Sequence, residues 1–172
     1  MGALARGELR NPPLRVIGQT LGIEPAHILY YFGSREELMQ AVIRRWDEDA
    51  AAGWRSDNGE KMGIDEYLAA IGLNVGKPGI VHLYLAFAAE AVDPQHPAHD
   101  FIQQRFEQLH TVLANAIRKE QAEDTIPPEA DADAEARWLI AMADGLQLQS
   151  LIDPTIDAIG HMRLAVQKLR RV

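Results

Sequence analysis

Residues 132 to 152, ADAEARWLIAMADGLQLQSLI, constrain the fold of this chain more than any other stretch. The pattern predicts one helix, and Trp138, Leu139, Ile140, Met142, Leu146, Leu148, Leu151 and Ile152 make it apolar nearly all round. Such a helix is buried on more than one side. A second apolar helix follows Pro154, with Ile156, Ile159, Met162, Val166 and Leu169 on one face. Two adjacent apolar helices point to a homodimer interface of helix-bundle type, with Leu139, Ala143, Leu146, Ile156, Ile159, Met162, Val166 and Leu169 as its candidate residues. One helix folded over the other within a monomer is the competing arrangement.

The rest of the chain reads the same way. Helical segments are expected at about 64–76, 79–92 and 98–120, the last with Ile102, Phe106, Leu109, Leu113 and Ile117 as its apolar stripe. Strand-like alternation is nearly absent, and the Asn58-Gly59 pair lies in a polar loop, so the fold class is all-α. The acidic stretch 120–135 reads as a connector. With 172 residues, the chain has room for one ordinary domain or a domain with a small appendage.

The front end has its own punctuation. Asn11 can cap a helix with Pro12 at its first position, and Leu14, Ile17 and Leu21 then repeat at helical spacing. Gly22 is a left-handed stop, Pro25 restarts a helix, and Gly33 breaks it. Ser34-Arg35-Glu36-Glu37 is a capping box, and a long helix with Leu38, Val42, Ile43 and Trp46 on one face runs from it to about Gly53. Short helix, glycine turn, short helix is the helix-turn-helix pattern, whose second helix enters a major groove. A structural corner packed by Tyr30 and Phe32 is the plainer alternative. Under the DNA-contact reading Arg15, Pro25, Ala26, His27, Leu29, Tyr30, Tyr31 and Arg35 are the contact residues. His and Tyr donate to phosphates or base edges, and Arg35 sits where a helix N-terminus and a cation can meet one phosphate.

Charge follows the same division. Residues 1–46 carry six arginines against four glutamates, whereas the remaining 126 residues carry a net −10, for −8 overall. A basic head on an acidic body is one pattern for touching a polyanion, and chance placement is the other. The division expected is a head at 1–46 and a body at 47–172. The chain has no cysteine, which excludes disulfides, thiolate catalysis and cysteine metal sites. No secretory signal or bilayer-spanning run is apparent, so a soluble cytoplasmic protein with no membrane partner is expected.

The stretch GIEPAHILYYFGSREEL resembles the signature of TetR-family transcriptional regulators, at Gly22, Ile23, Tyr30, Tyr31, Phe32, Ser34, Arg35, Glu37 and Leu38. EAVDPQHPAHDF and DGLQLQSLIDP resemble stretches found in a subset of that family. The resemblance implies a helix-turn-helix head joined to a helical ligand-binding and dimerisation domain. It implies a one-component repressor that binds operator DNA as a homodimer and is released by a small-molecule effector. Two positions depart from the pattern. Leu29 stands where many members have a phosphate-reaching tyrosine, and Glu24 where a Ser or Thr usually caps the recognition helix. Only Met1 to Arg10 precede the motif, so the first helix of a three-helix head is expected to be incomplete.

The resemblance also implies an effector pocket in the body. Its candidate lining is Tyr67, His82, Tyr84, Phe87, Phe106, Trp138, Met142 and Gln147, each of which is equally at home in a plain core. Asp93, His96, His99 and Asp100 form a histidine-rich turn, and Glu107-x-x-His110 matches half of a di-iron motif that needs two halves. No nucleophile elbow, phosphate loop or dinucleotide fingerprint occurs, so neither enzyme activity, a cofactor nor a metal is expected. Two other functions compete with the regulator. A ligand-binding helical dimer that has lost DNA binding through a truncated head would bind an apolar ligand but no palindrome. A helical metalloenzyme would purify with stoichiometric metal.

Overall fold

The computed structural model describes residues 13–52 and 62–170. Among them are eight helices and no strand. These are α1 (Leu14–Leu21), α2 (Pro25–Phe32), α3 (Arg35–Ala52), α4 (Ile64–Val75), α5 (Pro78–Glu90), α6 (His99–Ala122), α7 (Ala132–Ile152) and α8 (Ala158–Leu169). The expected all-α class is therefore what the chain adopts. The helices fall into two compact units. One comprises the residues up to Ala50 together with Lys77–Gln103, and the other Ala51–Gly76 together with Gln104 onward.

In the first unit, punctuation residues set the helix ends. α1 begins one residue after Pro13, which stands at its N-cap, while Asn11 and Pro12 lie outside the described residues. Pro25 and Pro78 occupy first-turn positions of α2 and α5, where a missing N–H costs nothing. The Ser34 box forms by half. Ser34 Oγ accepts the Glu37 N–H at 3.0 Å, but the Ser34 N–H goes to the Phe32 carbonyl at 2.8 Å instead of to the Glu37 carboxylate. Met39, Gln40 and Ile43 on α3 are buried, as are Ile80, Val81, Leu83 and Phe87 on α5. Polar and cation–aromatic contacts join these segments. The Gln40 amide donates to the Pro97 carbonyl at 3.3 Å, Arg44 lies 4.9 Å from the Phe101 ring centre, and Lys77 lies 4.4 Å from that of Trp46.

The second unit is built on α4, α7 and α8, with α8 packed against both of the others. Its core joins Ile64, Tyr67, Leu68 and Ile71 to Leu113 and Ile117, and to Leu139, Ile140, Met162 and Val166. Aspartates cap two of the helices. Asp131 accepts the N–H groups of Asp133 and Ala134 at 3.0 and 3.2 Å, and Asp157 accepts that of Gly160 at 2.9 Å. The acidic connector is a fastened turn. Ile126 is fully buried, and the Gln121 amide donates to the carbonyls of Pro127 and Ala130 at 3.0 and 2.8 Å.

One residue ties three segments of this unit. Arg170 donates through Nε and Nη2 to Glu120 at 2.7 Å each, and through Nη1 and Nη2 to Asp65 at 2.9 and 3.1 Å. Hydrogen bonding to Glu120 is the main reason its pKa stands above the ordinary arginine value; burial opposes this and Asp65 reinforces it. Glu120 is mostly buried, so losing its partner strands a charge, whereas the exposed Asp65 half is screened by water. Arg170→Ala is expected to destabilise this unit by roughly 2 kcal/mol. Hydrogen exchange of the α8 amides checks it, and unaltered protection would show that the cluster contributes nothing.

Candidate nucleic-acid interface and effector domain

The turn between α1 and α2 is fixed by two glycines. Gly22 adopts φ +66°, the left-handed conformation that ends α1. Its N–H and that of Ile23 both reach back to the Gly18 carbonyl, the latter at 2.9 Å. Gly18 is buried, and a Cβ placed there would lie 2.5 Å from the Ile23 carbonyl oxygen. The close approach of the two helices therefore depends on Gly18, a residue that helical periodicity alone does not single out. Ile17 on α1 and Ile28 on α2 point inward.

The outward face of α2 carries most of the residues expected there. Ala26, His27, Leu29, Tyr30 and Tyr31 are exposed, with Tyr30 at 82% and Tyr31 at 78%. The two tyrosine rings meet edge to face at 5.4 Å. Pro25 is half-buried at the start of the helix, and Arg15 on α1 is exposed. Glu24 stands at the N-cap without a side-chain capping bond. Arg35 differs from the others. Its guanidinium is only 20% exposed and lies 3.2 Å from Glu36 and 3.9 Å from Glu90, so a phosphate would have to compete with carboxylates for it.

The candidate effector residues fall into both units. His82, Tyr84 and Phe87 lie on α5. Phe87 is fully buried with its ring against His96, and His82 is half-buried with Nδ1 enclosed and unpartnered. Tyr67 and Gln147 are buried in the second unit, where the Gln147 amide donates to the Ala143 carbonyl at 3.1 Å within its own helix. Phe106 is half-buried against the core there. Trp138 and Met142 are brought together along a groove of about 820 Å³ between α7 and α8.

That groove also holds four of the expected interface residues, Leu139, Leu146, Ile156 and Leu169. Ile159 is half-buried beside the core, and Ala143, Met162 and Val166 are buried within the unit, as Leu139 largely is. On α7 and α8 the large apolar side chains most exposed to solvent are Trp138, Leu148, Ile152 and Leu164, of which Trp138 and Leu164 line the groove. Glu135 lines the groove with its carboxyl pKa raised, by burial first and by Asp131 second. The histidines of the 93–110 region have local partners. His99 Nδ1 lies 2.9 Å from the Ala91 carbonyl, His96 Nδ1 accepts the Ala98 N–H, and His110 Nε2 lies 3.0 Å from the Asp133 carbonyl. No three acidic or histidine side chains gather as a metal site among the described residues.

A two-helix turn presenting an aromatic face, on a chain whose second unit is a helical bundle with an apolar groove, defines a helix-turn-helix protein with a helical C-terminal domain. Residues 67–169 match the C-terminal domain family of BetI-type transcriptional repressors. The chain belongs to the TetR family of transcriptional regulators. Solved structures share the fold. A TetR-family transcriptional regulator from Rhodococcus sp. is 21% identical with a TM-score of 0.69, covering 98% of this chain and 97% of that one. A transcriptional regulator from Saccharomonospora viridis, solved in complex with choline, is 22% identical with a TM-score of 0.69, covering 96% and 88%. A transcriptional regulator from Rhodococcus sp. Rha1 is 19% identical with a TM-score of 0.65, covering 96% and 92%. No curated protein matches the chain. None of the helices is long and apolar enough to cross a membrane among the described residues.

Proposed function

We propose that this chain is a one-component transcriptional repressor of the cytoplasm that binds operator DNA as a homodimer and is released by a small-molecule effector. The observation that carries this reading is the outward face of α2, where Ala26, His27, Tyr30 and Tyr31 stand free of the packing done by Ile28. Residues 1–46 are the reading head in this scheme, and residues 47–172 sense the effector and dimerise. Two heads reach successive major grooves, so the operator is a palindrome. The effector acts by binding the DNA-competent and released arrangements with different affinity, without which nothing shifts. One structural relative holds choline, so choline is the first effector to try. Quaternary ammonium groups are held by aromatic faces, and the candidates are Tyr67, Phe106 and Trp138 in the second unit and, separately, Tyr84 and Phe87 in the first. The protein is regulatory, not catalytic, in this reading.

Selection from sheared genomic DNA tests the proposal. The purified chain should enrich a palindrome at low salt and lose it as salt rises. A folded dimer that enriches nothing would favour a sensor without DNA binding. His27→Ala and Tyr30→Phe should each weaken operator binding about tenfold while leaving the dimer mass unchanged, on the scale of a lost base or phosphate contact. Unaltered affinity in both would remove these residues from the interface.

A further inference from the structure

Arg35 is the first residue of α3, directly after the helix-turn-helix pair, and Ser34 caps the same turn. A helix start beside a guanidinium suits a phosphate. Glu90 is the last residue of α5, and its Oε2 lies 3.9 Å from Arg35 Nη1. Contacts further along α3 hold the segment that follows Glu90 in place. The buried Gln40 donates to the Pro97 carbonyl at 3.3 Å and accepts from Arg44 Nη2 at 3.2 Å, and Arg44 lies against the Phe101 ring. All of these residues belong to the first unit.

We infer that Glu90 competes with DNA for Arg35, so that the end of α5 sets how tightly the head binds its operator. This deepens the repressor reading and rests on it. Glu36 also lies beside Arg35, at 3.2 Å, but it is the next residue of the same helix and travels with it. Glu90 belongs to a different helix, within the part of the chain that the repressor reading assigns to effector sensing. Its distance from Arg35 therefore depends on how that part is arranged. The Glu90 side chain is 39% exposed, and a pair so open to water is worth only a few-fold in an equilibrium. That is the strength of a modulator, which a phosphate can displace. Linkage makes the effect reciprocal: what draws Glu90 away tightens DNA binding, and DNA that takes Arg35 loosens the end of α5.

Fluorescence anisotropy of the full chain with its selected operator, over a salt series, tests this. Glu90→Gln keeps the shape and removes the charge. Affinity is expected to rise about threefold per head, and about tenfold for two heads on one operator. This is a gain, which a misfolded head cannot produce. Arg35→Gln should weaken binding and flatten the slope of log affinity against log salt by about 0.9 per head, the mark of one lost phosphate contact. In the Arg35→Gln background, Glu90→Gln should change nothing. The inference is overturned if Glu90→Gln binds no more tightly than wild type, or if Arg35→Gln leaves the salt slope unaltered. It is also overturned if the gain persists without Arg35, because the general field of one fewer negative charge would then account for it. A wild type that binds no operator at any salt sinks the repressor reading and takes this inference with it. A wild type that binds while Glu90→Gln gains nothing sinks the inference alone.

Discussion

Gly18→Val is expected to abolish operator binding while leaving the helical content of the C-terminal unit intact. The clash is with backbone: the added Cβ would sit 2.5 Å from the Ile23 carbonyl oxygen, with the Pro25 ring at 3.4 Å behind it. A flexible side chain could step aside, but this carbonyl belongs to the turn that aims α2. Overpacking of this kind costs about 1–3 kcal/mol where the surroundings can adjust, and more where they cannot. The relief available is for α2 to swing away from α1, which moves Ala26, His27 and Tyr30 off any bases they read. A displacement of the whole reading face costs several contacts at once, so affinity should fall on the order of a hundredfold or more. Fluorescence anisotropy with the selected operator measures it, and circular dichroism reports the remaining fold. Wild-type affinity at the same salt concentration would mean that the turn is not what orients the recognition helix.

Leu164→Glu is expected to split the homodimer proposed above. Leu164 lines the α7–α8 groove and is 53% exposed, beside Trp138 at 59%. The isolated protomer therefore tolerates a charge there, whereas an interface would bury it without a partner. An uncompensated carboxylate in an apolar contact costs several kcal/mol, and two-fold symmetry places two of them in the same interface. Sedimentation at micromolar concentration should show a monomer with unaltered circular dichroism. Operator affinity should collapse with it, because one head spans one half-site. A dimer that survives the substitution would place the interface on another face. Leu164 is a cleaner probe than Leu139 or Met162, whose burial within the protomer confounds folding with association.

The sequence was most legible where a single residue type dictates backbone behaviour. Gly22 marked the end of α1, and Pro25 and Gly33 the two ends of α2, because their constraints are local. The all-round apolar pattern placed α7 at about 132–152, where it lies, and the signature around Tyr30 pointed to the family that the C-terminal match shows. What escaped depended on distance along the chain or on context. Arg170 meets Asp65 across 105 residues, and nothing in either local pattern announces the pairing. Arg35 was read as a phosphate contact from its place at a helix start, yet Glu90, far along the chain, lies beside it. Asp131 and Asp157 were lost among acidic neighbours, although each is a helix cap, and Ile126 is a buried anchor in a stretch that reads as a polar linker. Gly18 was invisible because a glycine inside a helical repeat looks like a weakness until the opposing backbone is seen.

The division of labour within α2 has an evolutionary corollary. The helix is held by Ile28, by the Gly18 contact and by the left-handed turn, while its outward residues support nothing beneath them. Stability and recognition are thus written on different letters of an eight-residue word. Descendants of such a gene can trade Ala26, His27, Tyr30 and Tyr31 for other side chains at little folding cost, and acquire new target sites after duplication without rebuilding the scaffold that presents them.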